Sequence, residues 1–281
     1  LTLTEQGVQS LESYKEENPQ GSAKLYAHRC DVTSDGDIAK VGEFCRDILK
    51  ENDAVLYAIV NNAGITAAGD FVFFGADNTN RLGIYHQIMN VNFFGSLRLT
   101  QTLLPLMLET SSTLTEYPRI INMSSVCGIV SSASNSPYNA SKFALEAWSD
   151  SLRMELEPFH IKVIKIQPGQ CNTQIQRDWA ITYLDNFAKA PPSIQARYGG
   201  DKFVASVTEA LNAMGNGSAS PPEIVVKTLV QTLSLSHYAL KASYLVGKDA
   251  QVFWRACQIL PTAISDTVKQ KLRFKYPVSS D

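Results

Sequence analysis

The 281-residue chain is 44% hydrophobic and 19% charged, ordinary values for one large α/β domain or two small ones. A formal net charge of −2 gives no global basic field, so nucleic acid is not an expected partner. Cys30, Cys45, Cys127, Cys171 and Cys257 are scattered without a CxxC pair, and the histidines His28, His86, His160 and His237 are isolated. That usage argues against a disulfide framework and a metal site, and it fits a reducing, intracellular environment.

In chain order, 4–17 reads as a polar amphipathic helix with Val8 and Leu11 inside, stopped by Asn18-Pro19-Gln20-Gly21. Because Leu1-Thr2-Leu3-Thr4 runs straight into this polar helix, no signal peptide is expected, with a lost anchor left open. Residues 23–30 are strand-like, with Asp31 at the carboxyl end. Residues 35–51 return to helix, placing Ile38, Val41, Phe44, Cys45 and Ile48 at helical spacing. The best continuous apolar run, 54–60, is a buried strand, far short of the ~18 residues that cross a bilayer. It breaks at Asn61-Asn62-Ala63-Gly64.

Residues 65–82 are loop-rich, and 84–108 form a long apolar helix carrying Asn92. After a polar connection, 119–124 is a strand and 126–136 a loop of small residues. Pro137 then opens a helix with Ser136 as its cap, packing Ala144, Trp148, Leu152 and Leu156 along one stripe as far as Pro158. A strand at 161–166 ends at Pro168-Gly169. Residues 173–220, Gly- and Ser-rich towards their end, are read as a substrate lid. A helix at 223–235, a strand at 242–246 and an apolar-to-basic tail from 253 complete the chain. The tail's Lys269, Lys271, Arg273 and Lys275 form a solvated face, with an anionic membrane surface as the alternative contact.

Alternating strands and helices predict a doubly wound parallel sheet with helices on both faces, in a single domain without internal repeat. Ligands of such sheets bind at the carboxyl ends of the strands. Asp31, Asn61 to Gly64, Ser125 and Pro168-Gly169 all fall there, and that convergence predicts a site.

The richest motif is Tyr138-Asn139-Ala140-Ser141-Lys142. Four residues apart, the phenol and the ammonium share a helix face, so the ammonium can favour the phenolate and make Tyr138 a proton carrier. Ser125, from a neighbouring strand end, can hold a carbonyl beside it. Ala63-Gly64 can let a ring and ribose approach the backbone, or can be an ordinary strand-ending turn. Asp31 can accept from an adenine amino group with Val32 packing nearby; equally it can cap a helix. Asn92 can hold a water linking Lys142 to solvent, or can be a core amide bonded to local backbone. Pro168, Gly169 and Thr173 can shape the nicotinamide side of a pocket, or can be a plain turn.

Together these residues resemble the short-chain dehydrogenase/reductase family: Asp31, Asn61-Asn62-Ala63-Gly64, Asn92, Ser125, Tyr138-x-x-x-Lys142 and Pro168-Gly169 occur in family order and spacing. The stretches YNASKFALEAWSDSLRMEL and YLVGKDAQVFW are similar to the retinol, steroid and hydroxybutyrate dehydrogenase branch. The resemblance implies a Rossmann-like fold and an oxidoreductase using NAD or NADP, NAD ahead, on a lipophilic alcohol or carbonyl compound. It implies Tyr138 as general acid/base, Lys142 lowering its pKa and bonding the nicotinamide ribose, Ser125 orienting substrate oxygen, and Asn92 supporting a water relay. Asp31, Val32, Asn62, Ala63, Gly64, Pro168, Gly169, Cys171 and Thr173 would line the cofactor.

The family's first strand and Gly-rich TGxxxGxG turn would lie upstream of Leu1. On that ground the sequence is expected to be a fragment or truncated gene product that by itself binds dinucleotide poorly or not at all. Gln167 stands where the branch usually has glutamate. The branch further implies an endoplasmic reticulum or mitochondrial membrane setting, and self-association stays open. Alternatives from other classes are a non-catalytic scaffold for related subunits and a nucleotide-sugar reductase or epimerase.

Overall fold

The computed structural model describes residues 24–74, 82–109, 111, 114–215 and 219–270. The helix expected at 4–17 and the tail residues Lys271, Arg273 and Lys275 lie outside the described residues.

Helix α1 (Asp35–Glu51) begins where expected because Ser34 accepts from the Asp37 amide, with Asp35 and Asp37 at the positive helix end and Lys50 in the last turn. Strand β1 (Ala58–Asn61) follows, then a 3-10 turn at Phe71–Phe73. The long apolar helix is interrupted: α2 (Gly83–Met89) passes through a π-helical turn (Asn90–Phe94) into α3 (Gly95–Leu108). Strand β2 (Arg119–Met123), a 3-10 turn (Val126–Gly128), α4 (Ser136–Glu155) and β3 (Lys162–Pro168) come next. Then α5 (Gln174–Ala188), α6 (Pro192–Tyr198), α7 (Asp201–Gly215) and α8 (Glu223–Ser234) precede β4 (Ser243–Val246). A second π-helical turn (Ala250–Trp254), α9 (Arg255–Ile259) and α10 (Thr262–Gln270) end the described chain.

The four strands pair in parallel in the order β1-β2-β3-β4. Successive strand side chains point to opposite faces, so both faces must be covered. Ile59, Ile120 and Val163 pack with Leu103, Leu106 and Met107 of α3 and Leu152 of α4. Ile121, Ile164, Ile166 and Val246 pack on the other side with Ile224, Val225, Leu229 and Leu233. The sheet is therefore a plate packed on both faces.

Four expectations are corrected. Residues 24–30 form no strand, because a ladder needs a paired neighbour and none of the described strands lies beside them. The strand expected at 54–60 pairs only over Ala58–Asn61, where β2 offers partners. Ser136 is the first residue of α4 rather than its cap. Asn135 takes the cap position without a side-chain cap bond, and the Ser136 hydroxyl instead meets Tyr85 Oη at 2.7 Å. Leu145, not Ala144, is the buried apolar residue of that turn.

The segment expected as a lid at 173–220 is mostly helical. Trp179, Tyr183 and Phe187, spaced one turn apart on α5, pack with Phe73, Phe203 and Val207 into a second small core. Replacing Ile164 with alanine should leave a cavity at the centre of the sheet and cost about 2–5 kcal/mol. Urea denaturation should show the midpoint falling at constant slope. A loss below about 0.5 kcal/mol would contradict the packing described.

Candidate active site

Ser125 leaves β2 with extended backbone and opens the 3-10 turn, its hydroxyl accepting from the Cys127 amide at 3.1 Å. The same hydroxyl reaches the Pro168 carbonyl at 3.5 Å. The Ser124 amide donates to Ile166 at 2.8 Å, so the loop after β2 is stitched to the end of β3. Ser125 is thus held between two strand ends.

Pro137, in the first turn of α4, presets the backbone, and Tyr138 and Lys142 project one turn apart. The Lys142 ammonium lies 5.5 Å from the centre of the Tyr138 ring and donates to the Met123 carbonyl at 2.8 Å. Lys142 is 4% exposed, and among the described residues that carbonyl is its only hydrogen-bond acceptor. Two N–H donors of a buried cation are left over, which calls for further acceptors.

Burial pulls the Lys142 pKa down to about 8, against the opposing pull of Cys127 and Glu146. Desolvation pushes the Tyr138 phenol up, Cys127 pushes the same way, and a hydrogen bond with Ser125 pulls it down. Among these influences desolvation of the phenol is the largest, and it favours the protonated form of Tyr138. The Cys127 thiol is likewise raised by burial.

Asn92 is fully buried on the π-helical turn. Its Oδ1 accepts from the Ile65 amide at 2.8 Å, and its Nδ2 donates to the Ile65 carbonyl at 2.9 Å and to Ser141 Oγ at 3.0 Å. Ser141 in turn donates to the Tyr138 carbonyl at 2.8 Å. Asn92 therefore clamps the Asn62 to Ile65 turn onto α4, and it does not face the cleft. Wide π turns inside helices commonly mark such functional positions.

One cleft of about 1700 Å³ runs along the strand ends. Asp31, Val32, Asn62, Ala63, Gly64, Ser125, Tyr138, Lys142, Pro168, Gly169, Cys171 and Thr173 all border it. A Cβ on Gly64 would stand 3.6 Å from Asn92 Oδ1 and 3.8 Å from Lys142 Nζ, which places this turn beside the lysine. Val32 is buried against Gly95, which has no room for a side chain there. The Asp31 carboxylate accepts from the Thr33 amide at 2.9 Å and its hydroxyl at 2.7 Å, and these bonds lower its pKa. It is both a turn-forming residue and a cleft residue.

Behind the site, Gln167 donates to both oxygens of Glu146 at 2.9 Å, and Lys165 meets Glu146 at 2.9 Å and Asp150 at 2.8 Å. The amide at 167 donates to both Glu146 oxygens, which a carboxylate at that position could not do.

Sequence reasoning missed Cys127, Asp249, and the cleft walls Trp179, Phe253 and Trp254. The one-turn spacing of Trp179 and Tyr183 could have revealed the first wall. Asp249 carries no local signal.

A family model described as short chain dehydrogenase matches residues 2–183. The 3beta-hydroxysteroid dehydrogenase dhs-16 of Caenorhabditis elegans is 28% identical over 271 residues, 95% of this chain and 66% of that protein. Retinol dehydrogenase 5 of Mus musculus is 28% identical over 269 residues, 95% of this chain and 77% of that one. Among solved structures, a short chain dehydrogenase/reductase from Burkholderia phymatum in complex with NAD is 17% identical, with a TM-score of 0.65 over 98% of this chain and 84% of that one.

Folded Lys142 gives up its proton near pH 8, whereas in the unfolded chain it does so near the ordinary 10.5. Between those values the unfolded state binds more protons, so stability rises with pH across that window. Lys142→Met should be more stable than the wild type at pH 7, by up to about 3 kcal/mol, and the gap should narrow by pH 9.5. Denaturation at the two pH values measures it. A gap that stays constant would refute the buried, desolvated lysine.

Proposed function

The chain belongs to the short chain dehydrogenase family of oxidoreductases, and from that premise we propose that it passes hydride between a nicotinamide cofactor and the carbinol or carbonyl carbon of a lipophilic substrate. The observation that carries the proposal is the meeting of Ser125, Tyr138 and Lys142 in one cleft at the strand ends.

The residues fit a nicotinamide nucleotide. The spare donors of Lys142 suit a ribose diol, Gly64 leaves its flank open, and the cleft runs from Asp31 to Thr173. When bound, the nicotinamide supplies the hydride donor or acceptor. In this reading Asp31 and Val32 border the adenine end, Asn62 to Gly64 and Lys142 the riboses, and Pro168, Gly169, Cys171 and Thr173 the nicotinamide. Both NAD and NADP remain in play, NAD ahead.

Ser125 holds the substrate oxygen against Tyr138 Oη. In reduction, a hydride reaches the carbonyl carbon and Tyr138 donates its phenolic proton to the oxygen, giving the alcohol and a phenolate. Desolvation keeps Tyr138 in the donating form at neutral pH. In oxidation the phenolate takes the hydroxyl proton as the hydride leaves the carbinol carbon. Lys142 stabilises the phenolate, and Asn92 acts indirectly, by fixing the turn beside Lys142.

The substrate end of the cleft is walled by Ile175, Trp179, Val225, Phe253 and Trp254, which supports an apolar substrate of the kind named for the steroid and retinol relatives. Residues 173–220 act in this reading as the substrate-covering wall of a single domain, and the tail from 253 closes its far side. Among the described residues no helix is long and apolar enough to cross a membrane.

Tyr138→Phe should cut turnover of a retinoid or steroid alcohol by about 10²–10⁴-fold while cofactor affinity barely moves. Steady-state kinetics with a parallel binding titration check both. Near-normal turnover in the Phe variant would end the assignment.

A further inference from the structure

The segment after β3, Gly169 to Thr173, borders the cleft yet carries no element of its own. Two outside groups hold it. Ser220, just before α8, pairs with it through its own amide to Gln170 O at 2.8 Å and through its carbonyl from the Asn172 amide at 3.0 Å. Asp249 Oδ2 in turn accepts from the Gln170 amide at 2.8 Å.

The packing around this carboxylate is tight. A Cβ on Gly169 would overlap it. A Cβ on Gly247 would lie 2.7 Å from Oδ1, and Gly247 holds φ of +104°, which favours glycine. The Gly169 amide meets the Val246 carbonyl at 2.8 Å. Two glycines on two strand ends thus make room for a single carboxylate that reaches across to a backbone N–H. Asp249 also stands immediately before the π-helical turn (Ala250–Trp254) that supplies Phe253 and Trp254 to the substrate wall.

We propose that Asp249 is a positioning residue: by gripping the Gln170 amide it sets the Gly169 to Thr173 segment at the nicotinamide end of the cleft and fixes that segment's register against the substrate wall. This rests on the reading of the cleft as a nicotinamide site. The bond is charge-assisted, so its loss should free the segment while the sheet beneath stays formed.

The test compares wild type, Asp249→Ala and Asp249→Asn by amide hydrogen exchange at Gln170 without cofactor, and by fluorescence titration with NADH. The Ala variant should exchange Gln170 about tenfold faster and bind NADH about tenfold more weakly. The Asn variant keeps a carbonyl oxygen at that spot and should return both to within about twofold of wild type. Should the Ala variant not fold, Gly169→Ala, which displaces the same carboxylate, should give the same faster exchange. Unchanged exchange at Gln170 overturns the proposal. Faster exchange with unchanged NADH affinity overturns its link to the cofactor. A wild-type chain that never binds NADH, while Gln170 still responds to Asp249, instead overturns the nicotinamide reading and keeps the grip.

Discussion

A buried ammonium bonded to the last carbonyl of a strand organises this molecule. Taking Lys142 out of water is costly, and the Met123 carbonyl returns only part of that cost. The bond joins α4 to the carboxyl end of β2 and so fixes the rotation of the helix. With Lys142 held there, Leu145, Ser149 and Leu152 turn to the sheet, and Tyr138 lies one turn back, at the cleft. The face that docks the helix therefore also aims the phenol at the cleft.

Polar ties extend this constraint to the cleft walls. Asn92 and Ser141 lock the turn after β1 to α4. Asp70 accepts from Ser134 at 2.6 Å and from Tyr198 at 2.7 Å, joining the loop before α4 to the small aromatic core of α5–α7. Lys269 of α10 reaches the Ser131 carbonyl at 3.1 Å from the other side. The Glu146, Gln167 and Lys165 cluster balances charge behind the site, one turn beyond Lys142. Remote segments of the chain are thereby set around the cleft that Ser125, Tyr138 and Lys142 border.

The sheet and its helices were legible because their signals are local. Ser34 with Asp37 marks a helix start, Ile120 and Ile121 mark a two-sided strand, and Tyr138 with Lys142 marks a shared helix face. The illegible parts depend on partners far along the chain. Residues 24–30 have strand-like composition, but none of the described strands pairs with them. The π turn at Asn90–Phe94 answers to Ile65 and Ser141, not to its own residues. The state of Tyr138 depends on how far its surroundings exclude water, which the spacing to Lys142 does not encode. Asp249 matters through two glycines and an amide brought to it only by the fold.

Saturation-transfer NMR of NADH mixed with the wild-type chain and with Lys142→Met tests the central claim most directly, because it reads weak binding atom by atom. Strong transfer to the nicotinamide ring and its adjoining ribose is expected on the wild type and its loss in the variant. Transfer confined to the adenine, or equal on both proteins, would contradict it.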